Sequence, residues 1–191
     1  MLQIPCVILC GGKSSRMGEN KALLPFGGFK TLVEFQQAKL LKIFTNVYIN
    51  AKDRSLLDFT CNFIEDAKND IFSPALGLLS ILQTLNSSVF VLSVDTPFVD
   101  ESIIKKLFLA SKDGQKTAIA KSPRGLHPLC AIYTKDAVEP LKEMLLQNRH
   151  KLQILIEQIP HEIVEFENDE PFFNLNNKEE YKKALEMIES M

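Results

Sequence analysis

The chain has 191 residues, of which 46% are apolar and 24% are charged. This composition is typical of a globular protein and argues against a disordered or fibrous one. With 22 basic and 24 acidic residues the net charge is −2, so we expect neither a nucleic acid nor an anionic membrane surface as a partner. The length suits one domain over residues 1–191.

The first half of the chain alternates short apolar runs with amphipathic stretches. The apolar runs predict strands at residues 4–9, 46–50, 63–65 and 89–94. The stretches between them predict helices at residues 32–44, 73–85 and 101–111. Each predicted helix begins at a residue whose side chain can cap it, respectively Thr31, Ser73 and Asp100.

The second half continues the same alternation. Strands are predicted at residues 117–120, 129–133 and 163–166, and a polar loop at 121–128. Helices are predicted at residues 135–147, at 151–158 and from Asn177 to about residue 189. The alternation predicts a three-layer α/β fold with a mostly parallel sheet. A functional site is then expected at the C-terminal ends of the strands.

The four cysteines, at positions 6, 10, 61 and 130, form no Cys-x-x-Cys pair. We expect them to be free thiols and not a zinc site or a disulfide framework. Free thiols fit a reducing, cytoplasmic compartment. The sequence shows no signal-peptide pattern and no run of about 18 apolar residues that would predict a membrane span.

Glycines and basic residues are concentrated directly after the first predicted strand, in the segment 9–21. Residues 1–30 carry four basic residues against one acidic residue, a net charge of +3, which indicates a local anion site. Glycines let the backbone approach a ligand closely, and exposed main-chain N–H groups can bind phosphate. Lys13, Arg16 and Lys21 add positive charge. The spacing is neither a P-loop nor Gly-x-Gly-x-x-Gly, but we favour a phosphate loop over a polar surface turn.

A carboxylate follows the strongest predicted strand, in the run Val94-Asp95-Thr96-Pro97. Mg²⁺ binds one or two carboxylates together with phosphate oxygens and water. Beside a phosphate loop, Asp95 is therefore predicted to hold Mg²⁺ together with phosphate oxygens of a ligand. The alternative is an Asx turn that ends the strand, supported by Pro97.

The segment 9–21 has the pattern Leu-x-Gly-Gly-x-x-x-Arg-Met-Gly, followed by a lysine. This pattern resembles the signature of the molybdenum cofactor guanylyltransferases, the MobA family. Further resemblances follow in order along nearly the whole chain, at Asn50-Ala51, Asp66, 74–79, Asp95-Thr96-Pro97, His127-Pro128-Leu129 and 174–177. The chain departs from the family pattern at Ser73, Leu129 and Asn177.

The resemblance implies a Rossmann-like, three-layer α/β/α fold of the nucleotide-diphospho-sugar transferase type. It implies transfer of GMP from GTP to the molybdenum–molybdopterin cofactor, which gives the molybdopterin guanine dinucleotide form and pyrophosphate. It assigns GTP binding to Leu9, Cys10, Gly11, Gly12, Lys21, Asn50, Asp66 and Asp95. The catalytic residues are expected to be Arg16, Lys21 and Asp95, with Mg²⁺ on Asp95. Proteins of cofactor biosynthesis and molybdoenzymes are the implied protein partners.

Gly11 bears on the choice of base. The guanylyltransferases carry Leu-x-Gly-Gly, whereas the related cytidylyltransferases usually carry Leu-Ala-Ala-Gly. Because this chain has glycine where the latter have alanine, the missing Cβ leaves room for the larger purine. This one difference favours GTP over CTP.

The pterin side of the site has weaker signals. Arg124 and His127 lie in the predicted polar loop, where they either hold an anionic pterin phosphate or belong to a mobile surface loop. Asn174 and Asn176 either meet a substrate or cap the last helix. The pair Phe172-Phe173 is expected to pack under the site.

Two other histidines, His150 and His161, are predicted to be plain surface residues, because neither has metal-ligand partners at a useful spacing. Two alternatives to a guanylyltransferase stay open. One is a related nucleotidyltransferase that uses CTP or a sugar phosphate. The other is a non-catalytic module that binds a pterin or nucleotide, against which the presence of both Lys21 and Asp95 argues.

Overall fold

The computed structural model describes residues 1–10, 20–66 and 73–190. The strands are β1 (Cys6–Leu9), β2 (Val47–Ala51), β3 (Asn62–Glu65), β4 (Val89–Ser93), β5 (Thr117–Ser122), β6 (Gly125–Tyr133) and β7 (His161–Glu165). The α-helices are α1 (Leu32–Leu40), α2 (Pro74–Leu85), α3 (Glu101–Ala110), α4 (Val138–Leu146), α5 (Leu152–Gln158) and α6 (Lys178–Glu189). None of the helices in these ranges is long and apolar enough to cross a membrane.

The seven strands form one sheet in the order β3-β2-β1-β4-β6-β5-β7. Strands β1 to β4 are mutually parallel, β6 runs antiparallel between β4 and β5, and β7 is parallel to β5. The predicted mostly parallel sheet is confirmed. The chain order reverses between β1 and β4, which is where ligands bind in open α/β sheets.

Two apolar cores cover the two faces of the sheet. Along β1 the side chains alternate, so that Cys6 and Ile8 enter one core and Val7 and Leu9 the other. The first core receives the buried faces of α1 and α3, and the second receives those of α2, α4 and α5. The predicted three-layer arrangement is therefore confirmed.

Side-chain caps begin the helices where the sequence predicts them. Ser73 Oγ accepts a hydrogen bond from the Ala75 N–H at 3.2 Å. The corresponding caps at Thr31, Asp100 and Asn177 are also present. Helix α1 ends at Leu40, before the predicted residue 44, because the chain turns there and the fully buried Phe44 forms a β-bridge with Leu2.

The predicted polar loop at 121–128 is wrong, because the segment forms a β-hairpin. Strand β5 continues to Ser122 and β6 begins at Gly125, with Ser122 opposite Gly125 in the ladder. Gly125 has a φ of +125°, a conformation that favours glycine. The ladder is made by main-chain groups, so polar side chains do not prevent it.

Candidate active site

The carboxyl ends of three neighbouring strands form the centre of the site. Leu9 lies in register with Asn50 of β2 and with Ser93 of β4. The Cys10 N–H donates to the Asn50 carbonyl at 2.9 Å, so the chain leaves β1 between its two neighbours. The residues assigned to the phosphate loop, namely Gly11, Gly12 and Arg16 together with Lys13, lie outside the described residues.

Lys21 and Asp95 form an ion pair at this edge, although 74 residues separate them in sequence. The Lys21 ammonium donates to Asp95 Oδ2, and Ser93 Oγ donates to Oδ1 at 2.5 Å. The two side chains are 19% and 14% exposed. The structure therefore places two of the predicted site residues in direct contact, with the carboxylate fixed from both sides.

Gln36 of α1 forms hydrogen bonds to the main chain on both sides of Asp95. Its side chain is fully buried, and Nε2 donates to the carbonyls of Thr96 at 3.1 Å and Val94 at 3.4 Å. These are the carbonyls on either side of Asp95. Sequence reasoning missed this contact, because a glutamine in the predicted helix gives no sign of an acceptor about 60 residues away.

Lys39, one turn further along α1, holds the same loop. Its ammonium group donates to the carbonyls of Pro97 at 2.6 Å and Val99 at 3.0 Å. Desolvation of this group lowers the pKa of Lys39 to about 8. We call Gln36 and Lys39 the α1 clamp, because together they bind four carbonyls of the loop that carries Asp95.

Asn50 and Asp66 form a second polar pair on the β2–β3 side of the site. Asn50 is fully buried, and its Nδ2 donates to Asp66 Oδ1 at 2.9 Å and to the Ile64 carbonyl at 3.1 Å. Within the described chain, Asn50 Oδ1 is buried without a hydrogen-bond partner. Partial burial raises the pKa of the Asp66 carboxyl, against the lowering effect of the bond from Asn50.

A cavity of about 410 Å³ opens beside Asp95, where the end of β4, the first part of β6 and the start of α5 line it. Its polar lining includes Ser93, Asp95, His127, His150, Lys151 and Asn174. The Leu175 N–H donates to the Asp95 carbonyl at 3.0 Å, which brings the preceding Asn174 to the cavity. Asp95 thus lies between the cavity and the pair of Asn50 and Asp66.

Of the four residues assigned to the pterin, two line the cavity and two do not. His127 and Asn174 line the cavity. Arg124 is 75% exposed, and its Nε lies 3.7 Å from Asp169 Oδ2. The Asn176 N–H bonds to Glu180 Oε2 at 2.7 Å, at the start of α6. Phe172 is buried and stacks against His127, in agreement with the prediction that it packs under the site.

The prediction for His150 is wrong, because this residue lines the cavity. It follows α4, and its Nε2 lies 2.9 Å from Asn148 Oδ1. No local signal indicated this, since its sequence neighbours are polar and the contact depends on where α4 returns the chain. His161 lies at the start of β7, where Nδ1 is 2.9 Å from the Ile159 carbonyl.

The described ranges contain no group of three or more His, Cys, Asp or Glu side chains arranged to hold a metal ion. Asp95 is the carboxylate that the described part of the chain places at the edge of the cavity, where Lys21 and Ser93 fix it. One carboxylate fits Mg²⁺ when substrate phosphates and water supply the other ligands. The donor set therefore suits a metal that is bound together with a nucleotide.

Comparisons with known proteins show which family the chain belongs to. A family model for the MobA-like NTP transferase domain matches residues 6–163. The chain is 43% identical over 183 residues to a molybdenum cofactor guanylyltransferase of Campylobacter jejuni subsp. doylei, which covers 95% of each chain. It is 31% identical over 191 residues to one of Helicobacter pylori strain G27, covering 97% of this chain and 93% of that one.

A solved structure has the same fold. It is the molybdopterin-guanine dinucleotide biosynthesis protein A of Archaeoglobus fulgidus, with a TM-score of 0.84. The two are 22% identical, and the match covers 98% of this chain and 100% of the other.

Proposed function

The chain belongs to the family of MobA-like NTP transferases, and from this premise we propose that it joins the GMP part of GTP to the molybdenum–molybdopterin cofactor. Pyrophosphate is the second product. The observation that carries the proposal is the position of Asp95, paired with Lys21, between a polar pair on β2–β3 and a cavity on β4–β6. A transferase needs two substrate sites that meet at one reacting phosphate.

The nucleotide base is proposed to bind beside Asn50 and Asp66. Guanine presents two neighbouring N–H donors on one edge, at N1 and at the 2-amino group. A carboxylate presents two acceptor oxygens, so Asp66 suits this edge. Cytosine has no such pair of donors, which favours GTP over CTP for this chain.

The phosphates are proposed to bind near Lys21. Its ammonium group, which pairs with Asp95 in the structure, can bind phosphate oxygens. Arg16 and the main-chain N–H groups of Gly11 and Gly12 are proposed to complete the phosphate site. These positive groups stabilise charge that develops on the leaving pyrophosphate.

Asp95 is proposed to hold Mg²⁺ against the α-phosphate. The bound metal ion would neutralise negative charge on the phosphates. Ser93 and the α1 clamp fix the carboxylate and its loop, so the chain maintains this arrangement before substrates arrive. A preorganised charge requires little rearrangement during the reaction.

The cofactor is proposed to occupy the cavity, with its phosphate towards Asp95. A phosphate oxygen of the cofactor attacks the α-phosphorus of GTP in line, and the bond from that phosphorus to the β-phosphate oxygen breaks. The attacking oxygen is already anionic, so the step needs no general base. The contribution of the chain is positioning and charge stabilisation.

The free thiols at all four cysteine positions favour a cytoplasmic location, which we include in the proposal. Proteins of cofactor biosynthesis and molybdoenzymes are the proposed protein partners, and residues 1–191 are proposed to act as one domain.

Pyrophosphate release tests the proposal. Purified protein is incubated with the molybdenum–molybdopterin cofactor, Mg²⁺ and one of GTP, CTP or ATP. We expect pyrophosphate only with GTP, and only when the cofactor is present. Equal release with CTP would overturn the assignment of the base, and no release with any nucleotide would favour a non-catalytic binding module.

A further inference from the structure

Three polar side chains form a linked network at the β5–β6 hairpin. Ser122 Oγ lies 2.5 Å from Asp169 Oδ1 and 2.8 Å from His127 Nε2. Ser122 is only 3% exposed, so the hydroxyl is fixed by these contacts. The network matters for the cavity because His127 is part of its lining.

The network determines which nitrogen of His127 carries a proton. The hydrogen bond from Ser122 lowers the pKa of the Asp169 carboxyl, which therefore only accepts. Ser122 has a single hydroxyl proton, and it donates that proton to Asp169. The Ser122 oxygen must then accept from His127, which places a proton on Nε2.

The same surroundings favour a neutral ring. Partial burial lowers the pKa of His127, although the nearby Asp169 acts in the opposite direction. A neutral imidazole with a proton on Nε2 has a lone pair on Nδ1. Among the residues that the structure describes, Nδ1 makes no hydrogen bond, so it is available to a ligand.

Packing fixes the plane of the ring. His127 stacks on Phe172 with ring centroids 4.1 Å apart and an interplanar angle of 10°. Phe172 is itself buried, at 4% exposure. The guanidinium of Arg124 does not add a cation to this wall, because it is exposed and lies against Asp169.

We propose that His127 is a specificity-determining residue, which accepts through Nδ1 a hydrogen bond from an N–H group on the heterocycle of the acceptor substrate. Ser122 and Asp169 are positioning residues that act through His127. The inference rests on the proposed function, in which the cavity holds the acceptor. It replaces both interpretations that the sequence left open for this residue. His127 lies in β6 and lines the cavity, so it is not part of a surface loop. A phosphate ion has only acceptor oxygens and cannot donate to Nδ1.

Three substitutions at His127 separate hydrogen-bond acceptance from charge. His127→Asn keeps an acceptor near the position of Nδ1, His127→Phe keeps only the stacking, and His127→Lys keeps a cation. Steady-state assays give separate KM values for the molybdenum–molybdopterin cofactor and for GTP. We expect the cofactor KM to rise roughly 10- to 100-fold in the Phe and Lys variants, to change by a few-fold in the Asn variant, and the GTP KM to stay constant.

The opposite order would overturn the inference. If His127→Lys keeps the cofactor KM of the parent while His127→Asn loses it, the residue binds an anion. Ser122→Ala should raise the cofactor KM without changing the GTP KM, and Ser122→Thr, which restores the hydroxyl, should recover it. Equal changes in both KM values would indicate a merely structural role.

A measurement without substrate tests the tautomer. In ¹⁵N spectra of the histidine rings at neutral pH, we expect His127 to carry its proton on Nε2 in the parent protein. In the Ser122→Ala protein, the neutral His127 ring should no longer be restricted to this one tautomer. A doubly protonated ring, or a proton on Nδ1, would overturn the inference whatever the activity.

If the parent protein releases no pyrophosphate from GTP and the cofactor, the proposed function is wrong, but the inference about His127 can still be tested. Quenching of 6-hydroxymethylpterin fluorescence then tests the recognition alone. Binding that survives in His127→Asn but not in His127→Phe supports the inference, and equal binding by both variants overturns it.

Discussion

A Cβ atom placed on Gly77 would lie 2.9 Å from Oδ1 of Asn50. The same atom would lie 3.1 Å from Leu9 Cδ2 and 3.4 Å from Asp66 Oδ1. The first turn of α2 therefore packs directly on the polar pair that we assign to the base. Glycine is needed at this position for close approach, and no positive φ is involved.

We expect Gly77→Ala to impair the use of GTP more than it impairs folding. Asn50 is fully buried and bonded on its nitrogen, so the added methyl group must displace Asn50 or α2. We expect a rise of about 10-fold or more in the KM for GTP, measured by pyrophosphate release. Ser80→Ala, on the same helix, is the control. A parent KM in Gly77→Ala would show that the pair does not contact the base.

Asp66→Asn should reduce the discrimination between GTP and ITP. Inosine lacks the 2-amino group, so the proposed contact predicts that the parent prefers GTP. An asparagine offers one acceptor in place of two, and the preference should fall by about 10-fold. The quantity to measure is the ratio of the two kcat/KM values. If the ratio is the same in parent and variant, the 2-amino group does not bind Asp66.

Lys21→Met should lower kcat/KM for GTP by about 10- to 100-fold. This is the loss expected when one hydrogen bond to a charged group is removed. The methionine keeps most of the length of the side chain but removes the charge that pairs with Asp95. Lys30→Met, an exposed change in the same basic N-terminal segment, is the matched control. Similar losses in both variants would indicate a general charge effect and not a phosphate contact.

Asp95→Asn should lower kcat by about 10²–10³, the usual effect of removing one electrostatic stabiliser. The variant should remain folded, because asparagine can still accept from Ser93. Circular dichroism checks the fold, and Asp113→Asn, at an exposed position, controls for the loss of one charge. Parent turnover with Mg²⁺ in a folded Asp95→Asn protein would remove this residue from the metal site.

The α1 clamp predicts a pH dependence of stability. The pKa of Lys39 is about 8 in the folded chain, against 10.5 for an ordinary lysine. Between these values the unfolded chain binds more protons, so the free energy of unfolding should rise with pH, by at most about 1.4 kcal/mol per pH unit. This contribution is fully present above pH 10.5 and is lost as the pH falls through about 8.

Denaturant unfolding of the parent and of Lys39→Met across this pH range gives the test. The methionine variant cannot titrate at this position, so the difference in stability between the two proteins should change with pH. A constant difference would mean that Lys39 has an ordinary pKa. The variant should also show reduced kcat, because the carbonyls of Pro97 and Val99 lose their donor.

Sequence signals that act over a few residues predicted the fold well. Four helices begin at a residue whose side chain accepts a hydrogen bond from a main-chain N–H group two or three residues further on. These residues are Thr31, Ser73, Asp100 and Asn177. The hairpin at 121–128 was missed for a related reason. Its polar residues are typical of a loop, whereas the strand is formed by main-chain pairing with partners that the local sequence does not reveal.

The candidate site was predictable only in part. Asp95 could be assigned to one edge of the sheet because it follows a strongly apolar strand, and Lys21 because it follows the glycine-rich segment. The structure brings the two side chains into contact. The α1 clamp could not be predicted, since Gln36 and Lys39 bind carbonyls about 60 residues away. Main-chain carbonyls are present at every residue and leave no mark in a sequence.

The reversed direction of β6 separates, along the chain, the residues that we assign to the two substrates. Because β6 runs against β4, its first residues arrive beside the end of β4 and form one wall of the cavity. The groups assigned to the base all come before residue 80, whereas most of the cavity wall comes after residue 125. Substitutions at the cavity-lining positions of β6, Leu126 to Leu129, would therefore change the proposed acceptor side without touching the residues assigned to the base.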